Sequence, residues 1–180
     1  MATTEGSEFW RLLGEQVGHE LAAHLQYAAI AVWFDGHDLP QLAKHFYRQA
    51  LEERNHAMMI VQYHIDRSLP VTIPGTPEPR DDFRDAVDPL RLALEQEQQV
   101  TAQIEAIFRA ARSEGDALGE QFLLWFLEEQ VEEVAAATTL LTVAERARDN
   151  LFDLENYVAR ETIGDSGVSP AAPKAAGGAL

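Results

Sequence analysis

The chain has 180 residues, enough for one domain with a sizeable core and short for two. Hydrophobic residues make up 46% of it, which fits a globular protein and excludes a disordered one. The absence of cysteine excludes disulfides and thiolate metal sites, and the formal charge of −16 argues against nucleic-acid binding, because phosphate contacts need an excess of Lys and Arg.

The opening stretch MATTEGSEFWRLLGEQ has no basic segment followed by an apolar run, and no apolar stretch approaches a membrane span. A soluble cytoplasmic protein without membrane partners is therefore expected. Residues 7–35 carry an apolar period near 3.6 through Leu13, Val17, Leu21, Leu25, Ala28 and Val32, which predicts a long helix. The segment DGHDLPQ breaks it, with Asp38 read as the cap of a second helix over 39–66 and Pro40 in its first turn. SLPVTIPGTPEPRDD, with four prolines and a glycine, cannot be helical. Asp88-Pro89 then opens a third helix by the same rule, reaching Arg112 before Gly115. A fourth is predicted over 117–147 and a short fifth over 150–162. The end of the chain, GDSGVSPAAPKAAGGAL, reads as a flexible tail.

Four long amphipathic helices and no strand pattern predict an all-α four-helix bundle. The first two and the last two long helices have short connections and pair as antiparallel hairpins. A second helix of this length spans about 42 Å. The residues after it reach about 66 Å when extended, enough to run back along the whole bundle. Helices two and three are then parallel, and one long crossover of this kind is the ferritin-like connectivity.

Polar residues interrupt the apolar stripes. Glu20 and Tyr27 are two turns apart on one face of helix one. In helix two, Phe46, Ala50, Glu53, Ala57 and Ile60 follow a 4-3-4-3 spacing, so Glu53 replaces a core residue, and His56 is one turn away. Glu97 interrupts helix three, and Glu129 and Glu133 interrupt helix four. Singly, each glutamate reads as a rim residue with a packed stem, His56 and Tyr27 as core, and Glu52, Glu128 and Glu132 as helix-surface charge. Together, converging buried carboxylates would cost several kcal/mol each and protonate unless a cation lay between them. One inward glutamate per helix plus a Glu-x-x-His pair is a donor set for two adjacent iron ions, although zinc or manganese would also bind it.

At these residues the chain resembles the non-haem bacterial ferritins, most closely the type found in actinobacteria, within the ferritin-like di-iron family. The resemblance covers residues 7–163, a single ferritin-like di-iron domain over 1–163 with the tail at 164–180. It rests on HELAAHLQY, LEERNHAMM, LEQEQQVT and LLWFLEEQVEE in that order and spacing. It implies that Glu20, Glu53 and His56 hold the first ferroxidase iron, and that Glu53, bridging, holds the second with Glu97 and Glu133. It further implies a third iron site at Glu52, Glu129, Glu132 and Glu133. Gln130 falls on a family glutamine that organises water or oxygen near the site. Tyr27 and Trp125 fall on the aromatic neighbours that can supply electrons. NLFDLENYVARE resembles the helix around the fourfold axis of a twenty-four-subunit homo-oligomeric cage, an apolar helix that must bury Leu151, Phe152, Leu154 and Val158. Glu120 aligns with an acidic lining position of the threefold pore. The implied function is oxidation of Fe(II) by oxygen or hydrogen peroxide and storage of a ferric oxide-hydroxide mineral. A di-iron oxygenase or peroxidase, and a shell that only sequesters metal, are the alternatives. No haem is expected, since Arg54 stands where bacterioferritins place the haem methionine, and Met58 and Met59 are out of register.

Overall fold

A computed structural model describes residues 6–148, 150–161 and 171–180. Its helices are α1 (Glu8–Asp35), α2 (Pro40–Asp66), α3 (Val87–Glu114), α4 (Ala117–Ala147) and α5 (Leu151–Arg160), and among the described residues there is no strand. The predicted fifth helix extended to 162, and that last position lies outside the described residues. No described helix is long and apolar enough to cross a membrane.

Side-chain contacts fix the directions. Trp10 near the start of α1 stacks on Tyr63 near the end of α2, and Phe34 stacks on Phe46 at the other end. Arg91 pairs with Glu145, and Arg112 with Glu120, so α3 and α4 are antiparallel. Ser7 and Phe9 meet Glu114 at the far end of α3, which makes α1 antiparallel to α3 as well as to α2. Helices α2 and α3 are therefore parallel, and residues 67–86 form the long crossover. The crossover lies along α1. Pro74 comes so close to Gly18 that a Cβ there would stand 2.8 Å from Pro74 Cγ. Further on, the Gln26 side chain exchanges hydrogen bonds with the Arg80 backbone at 2.7 and 2.8 Å, and Phe83 plugs the core against Trp33.

Two helix starts differ from the sequence reading. Asp38 does not cap α2: it takes a positive φ of 58° and closes the interhelical turn, and the N-cap position falls on Leu39. The free amides of Gln41 and Leu42 are instead accepted by the Glu155 carboxylate of α5, both at 2.9 Å. A carboxylate at a helix N-terminus satisfies orphan donors and opposes the helix dipole, so this contact anchors α5 on the bundle. Asp88 likewise does not cap α3. It lies within the first turn, while Asp85 Oδ1 accepts from the amides of Val87 and Asp88 at 2.9 and 3.0 Å. Asp88 is turned to Arg80 and Arg84, whose guanidinium groups hold its carboxyl down at about 2.

The α1 stripe also departs from the 13-17-21-25-28-32 reading. Leu25 and Val32 are exposed, and the buried line runs Leu13, Gln16/Val17, Glu20, Ala23, Tyr27, Ile30 and Phe34. A step of four residues turns about 400°, so repeated fours drift about 40° each off the inner face, whereas alternating threes and fours stay on it.

The apolar core has two halves. One gathers Tyr27, Ile30, Phe34, Leu42, Phe46, Leu90, Leu140 and the buried Leu154 of α5. The other gathers Phe9, Leu13, Val17, Ile60, Ile104, Leu123 and Phe126. Met59 is buried in this second half and Met58 packs against it. Within the expected tail, 164–170 lie outside the described residues. In its last ten residues the Ala176 amide donates to Met58 O at 2.9 Å, and Leu180 exchanges hydrogen bonds with the Asn55 side chain at 3.1 and 3.2 Å. Between the two halves lies a polar layer.

Candidate metal centre

The polar layer draws on all four long helices. Glu20 on α1, Glu53 and His56 on α2, Glu97 on α3 and Glu133 on α4 are all buried, as are Tyr27 and Gln130. Glu20, Glu53 and His56 each offer a ligand atom within 4.8 Å of the others. Their exposures of 1%, 2% and 5% mean that no bulk water neutralises the charge. Glu97 and Glu133 fall outside that group and have partners of their own. The Tyr27 hydroxyl donates to Glu97 Oε1 in a short hydrogen bond, and Gln49 Nε2 donates to Glu133 Oε2 at 2.9 Å. The Thr101 hydroxyl stands between the Glu97 carbonyl oxygen at 2.8 Å and the Gln130 amide at 2.9 Å, tying α3 to α4 beside the site. Gln16 Nε2 donates to Glu20 Oε1 at 2.9 Å.

Burial pushes the carboxyls of Glu20 and Glu53 well above the usual range. The neighbouring Glu53 adds to the shift at Glu20, and Glu97 and Glu133 add to it at Glu53. Burial raises Glu97 as well, against the Tyr27 hydrogen bond, and raises Glu133 to about 8 with help from the charges of Glu97 and Glu52. Burial and Glu97 together also push the Tyr27 phenol up, so it stays protonated. Glu20 Oε2 and Glu97 Oε2 are buried without a protein partner. Among the described residues these carboxyls and orphaned acceptors face a single imidazole, His56 Nδ1, at 3.3 Å from Glu53 Oε2, too few donors for a structural ion-pair network. A hard or borderline divalent cation bound through oxygen and imidazole nitrogen fits all of these observations.

The residues of the third-site expectation are less alike. Glu52 is half-buried and its charge raises both Glu53 and Glu133, so it lies electrostatically within the layer. It also pairs with Arg48 at 3.6 Å. Glu129 is half-buried and adds to the shift at Glu133, while Glu132 is exposed. The inward line of α4 runs Phe126, Gln130, Glu133 and Leu140, so Glu129 stands on its flank and not in the stripe, a correction to the reading from spacing. Trp125 packs edge-on to His56 at 5.6 Å. Glu120 is ion-paired with Arg112 at 2.9 Å. Sequence reasoning missed Gln16 and Gln49. Each is a polar residue on a buried stripe, one turn before an inward glutamate, and that repeated Gln-x-x-x-Glu spacing was the available signal.

Fold and site together define a carboxylate-lined four-helix bundle with a single long crossover. Residues 11–147 match the ferritin-like domain family. The chain is 58% identical over 174 residues to Ferritin BfrB of Mycolicibacterium smegmatis, covering 97% of this chain and 96% of that one. It is 56% identical over 177 residues to Ferritin BfrB of Mycobacterium tuberculosis, with the same coverage. Its backbone superposes with a TM-score of 0.83 on an open-pore ferritin from the hyperthermophilic archaeon Archaeoglobus fulgidus, covering 89% of this chain and 100% of the other at 24% identity, a likeness of fold. The chain belongs to the ferritin family, as a bacterial ferritin of the actinobacterial type, and its role is iron storage.

Proposed function

We propose that the chain oxidises Fe(II) to Fe(III) at the polar layer of the bundle and stores the product as a ferric oxide-hydroxide mineral inside a cage of identical chains, twenty-four by the family's pattern. The observation that carries this reading is the buried Glu20–Glu53–His56 group, with Glu97 and Glu133 beside it and orphaned carboxylate oxygens turned to no protein donor. Glu20, Glu53 and His56 bind one iron and Glu53, Glu97 and Glu133 the other, with Glu53 shared. Each Fe(II) gives up one electron, so a pair, with two protons taken up from water, reduces one oxygen molecule to hydrogen peroxide, or one hydrogen peroxide to two waters. Carboxylates favour the harder, more highly charged Fe(III), and a site closed to bulk water strengthens that preference.

The surrounding residues do the remaining work. Tyr27 holds Glu97 by its hydroxyl and, with Trp125 beside His56, is a local source of electrons. Gln130, steadied by Thr101, orients oxygen or water near the pair. Glu52, Glu129, Glu132 and Glu133 make a third, looser site toward which product iron leaves. The carboxylates exchange ligands readily, which suits a site that must release its product. Phe152, 85% exposed on α5, together with the exposed Val32 and Leu25 of α1, supports burial against neighbouring chains.

Aerobic addition of Fe(II) in large excess tests the storage reading. Uptake should run far beyond three irons per chain and end in a mineral absorbing broadly in the near ultraviolet. Uptake that stops at two or three irons per chain would leave an oxidase without a store, and the reading would fail.

A further inference from the structure

Gln16 lies one turn before Glu20 on α1 and is as deeply buried, 1% exposed. Its Nε2 donates to Glu20 Oε1 at 2.9 Å. Its Oε1 lies 3.2 Å from His19 Nδ1. The Glu20 carboxylate accepts, so the amide turns Nε2 to it, and Gln16 Oε1 then accepts from His19 in the tautomer that carries its proton on Nδ1, which holds the other end of the amide. The two oxygens of Glu20 are thereby inequivalent: Oε1 is tethered along its own helix, whereas Oε2 is buried without a protein partner.

We propose that Gln16 is a positioning residue of the metal centre, holding Glu20 in the conformation that presents Oε2 alone to a bound metal. The inference rests on the metal-centre reading above. A glutamate has three side-chain torsions, and Glu20 lies within side-chain hydrogen-bond reach of Glu53, so an untethered carboxyl would turn toward Glu53 or bring both oxygens inward. The tether removes both freedoms before metal arrives, which is the arrangement that orients metal-binding carboxylates in general. Gln49 is the informative contrast. It donates to Glu133 Oε2 at 2.9 Å, but its own Oε1 has no partner, so nothing fixes its amide in the way His19 fixes that of Gln16.

The test is an anaerobic titration of the metal-free protein with Co(II), followed by its visible ligand-field absorption, which reports affinity and coordination geometry without any turnover. Glu20→Ala marks the part of the signal that belongs to this site. Gln16→Met keeps the volume and removes the hydrogen bond. It is expected to bind Co(II) about tenfold more weakly, with altered band positions, while near-ultraviolet circular dichroism stays that of the parent. His19→Leu, at an exposed position on the edge of the groove beneath the crossover, is expected to give a smaller loss in the same direction and keeps the test decisive if Gln16→Met does not fold. Gln16→Met, or His19→Leu in its place, that titrates with the parent's affinity and spectrum overturns the proposal and leaves the metal centre standing. A parent protein that gives no Co(II) signal dependent on Glu20 overturns the metal-centre reading, and this inference with it.

Discussion

Replacing Glu53 with glutamine is expected to slow the oxidation of Fe(II) at least about a hundredfold, while the metal-free protein becomes no less resistant to heat. The first half follows from the position of Glu53. It lies within 4.8 Å of both Glu20 and His56 through a ligand atom, and it feels the charges of Glu97 and Glu133, so it is the carboxylate common to both halves of the layer. Changing a group that merely supports a ligand typically costs tenfold to a hundredfold in metal affinity or activity, and removing the shared anionic ligand must cost at least that. The second half follows from burial. At 2% exposure and among the charges of Glu97, Glu133 and Glu52, with only the His56 imidazole 3.3 Å away, the charged Glu53 opposes folding, and an amide of the same shape fills the same space without that charge. A residue placed for packing would show the reverse pattern, an unchanged oxidation rate and a lowered melting temperature. Stopped-flow absorbance and a thermal melt on one preparation decide between them.

The second large effect is on pH. The folded-state carboxyls of Glu20, Glu53, Glu97 and Glu133 all titrate above their unfolded values, Glu133 at about 8 against an ordinary 4.5. The folded protein therefore holds protons that the unfolded chain has released. The stability this provides is fully present below pH 4.5 and is lost as pH rises through the folded values. For Glu133 alone, a shift of this size corresponds to about 4–5 kcal/mol, an upper bound because water entering the layer relieves it. Metal-free protein is thus expected to melt at progressively lower temperature between pH 5 and pH 8. A divalent metal takes the place of those protons, so it should raise the melting temperature strongly at pH 8 and little at pH 5, where protons compete for the same oxygens. Glu133→Gln should flatten the pH dependence. A metal-free melting temperature that climbs from pH 5 to pH 8 would contradict the account of the layer.

The helical content and the inward carboxylates were legible because each rests on periodicity, and the crossover because prolines break the pattern over a stretch long enough to run back along the bundle. Glu53 interrupts a 4-3-4-3 line and is buried as that line requires. Periodicity also misled where the steps were uniform: a run of fours on α1 walked Leu25 and Val32 round to the outer surface. On α4 the spacing could not rank Glu129 against Gln130, which differ by one position, and packing placed Gln130 inside. The helix caps were hidden for a different reason. Asp38 and Asp88 stand where a local rule puts a cap, yet the amides of α2 are served by Glu155, more than a hundred residues away. No local pattern encodes that contact. Glu52 shows the limit of reading charge from sequence: it looks like surface, is half-buried, and acts electrically on both Glu53 and Glu133 while pairing with Arg48.

The proposed pair of irons between the inward glutamates of the four helices is open to anomalous diffraction at the iron edge, from crystals loaded with Fe(II) without oxygen. Two peaks are expected per chain, one against Glu20, Glu53 and His56 and the other against Glu53, Glu97 and Glu133, with Glu53 touching both. Peaks only at the exposed carboxylates, with the buried layer free of iron, would contradict it.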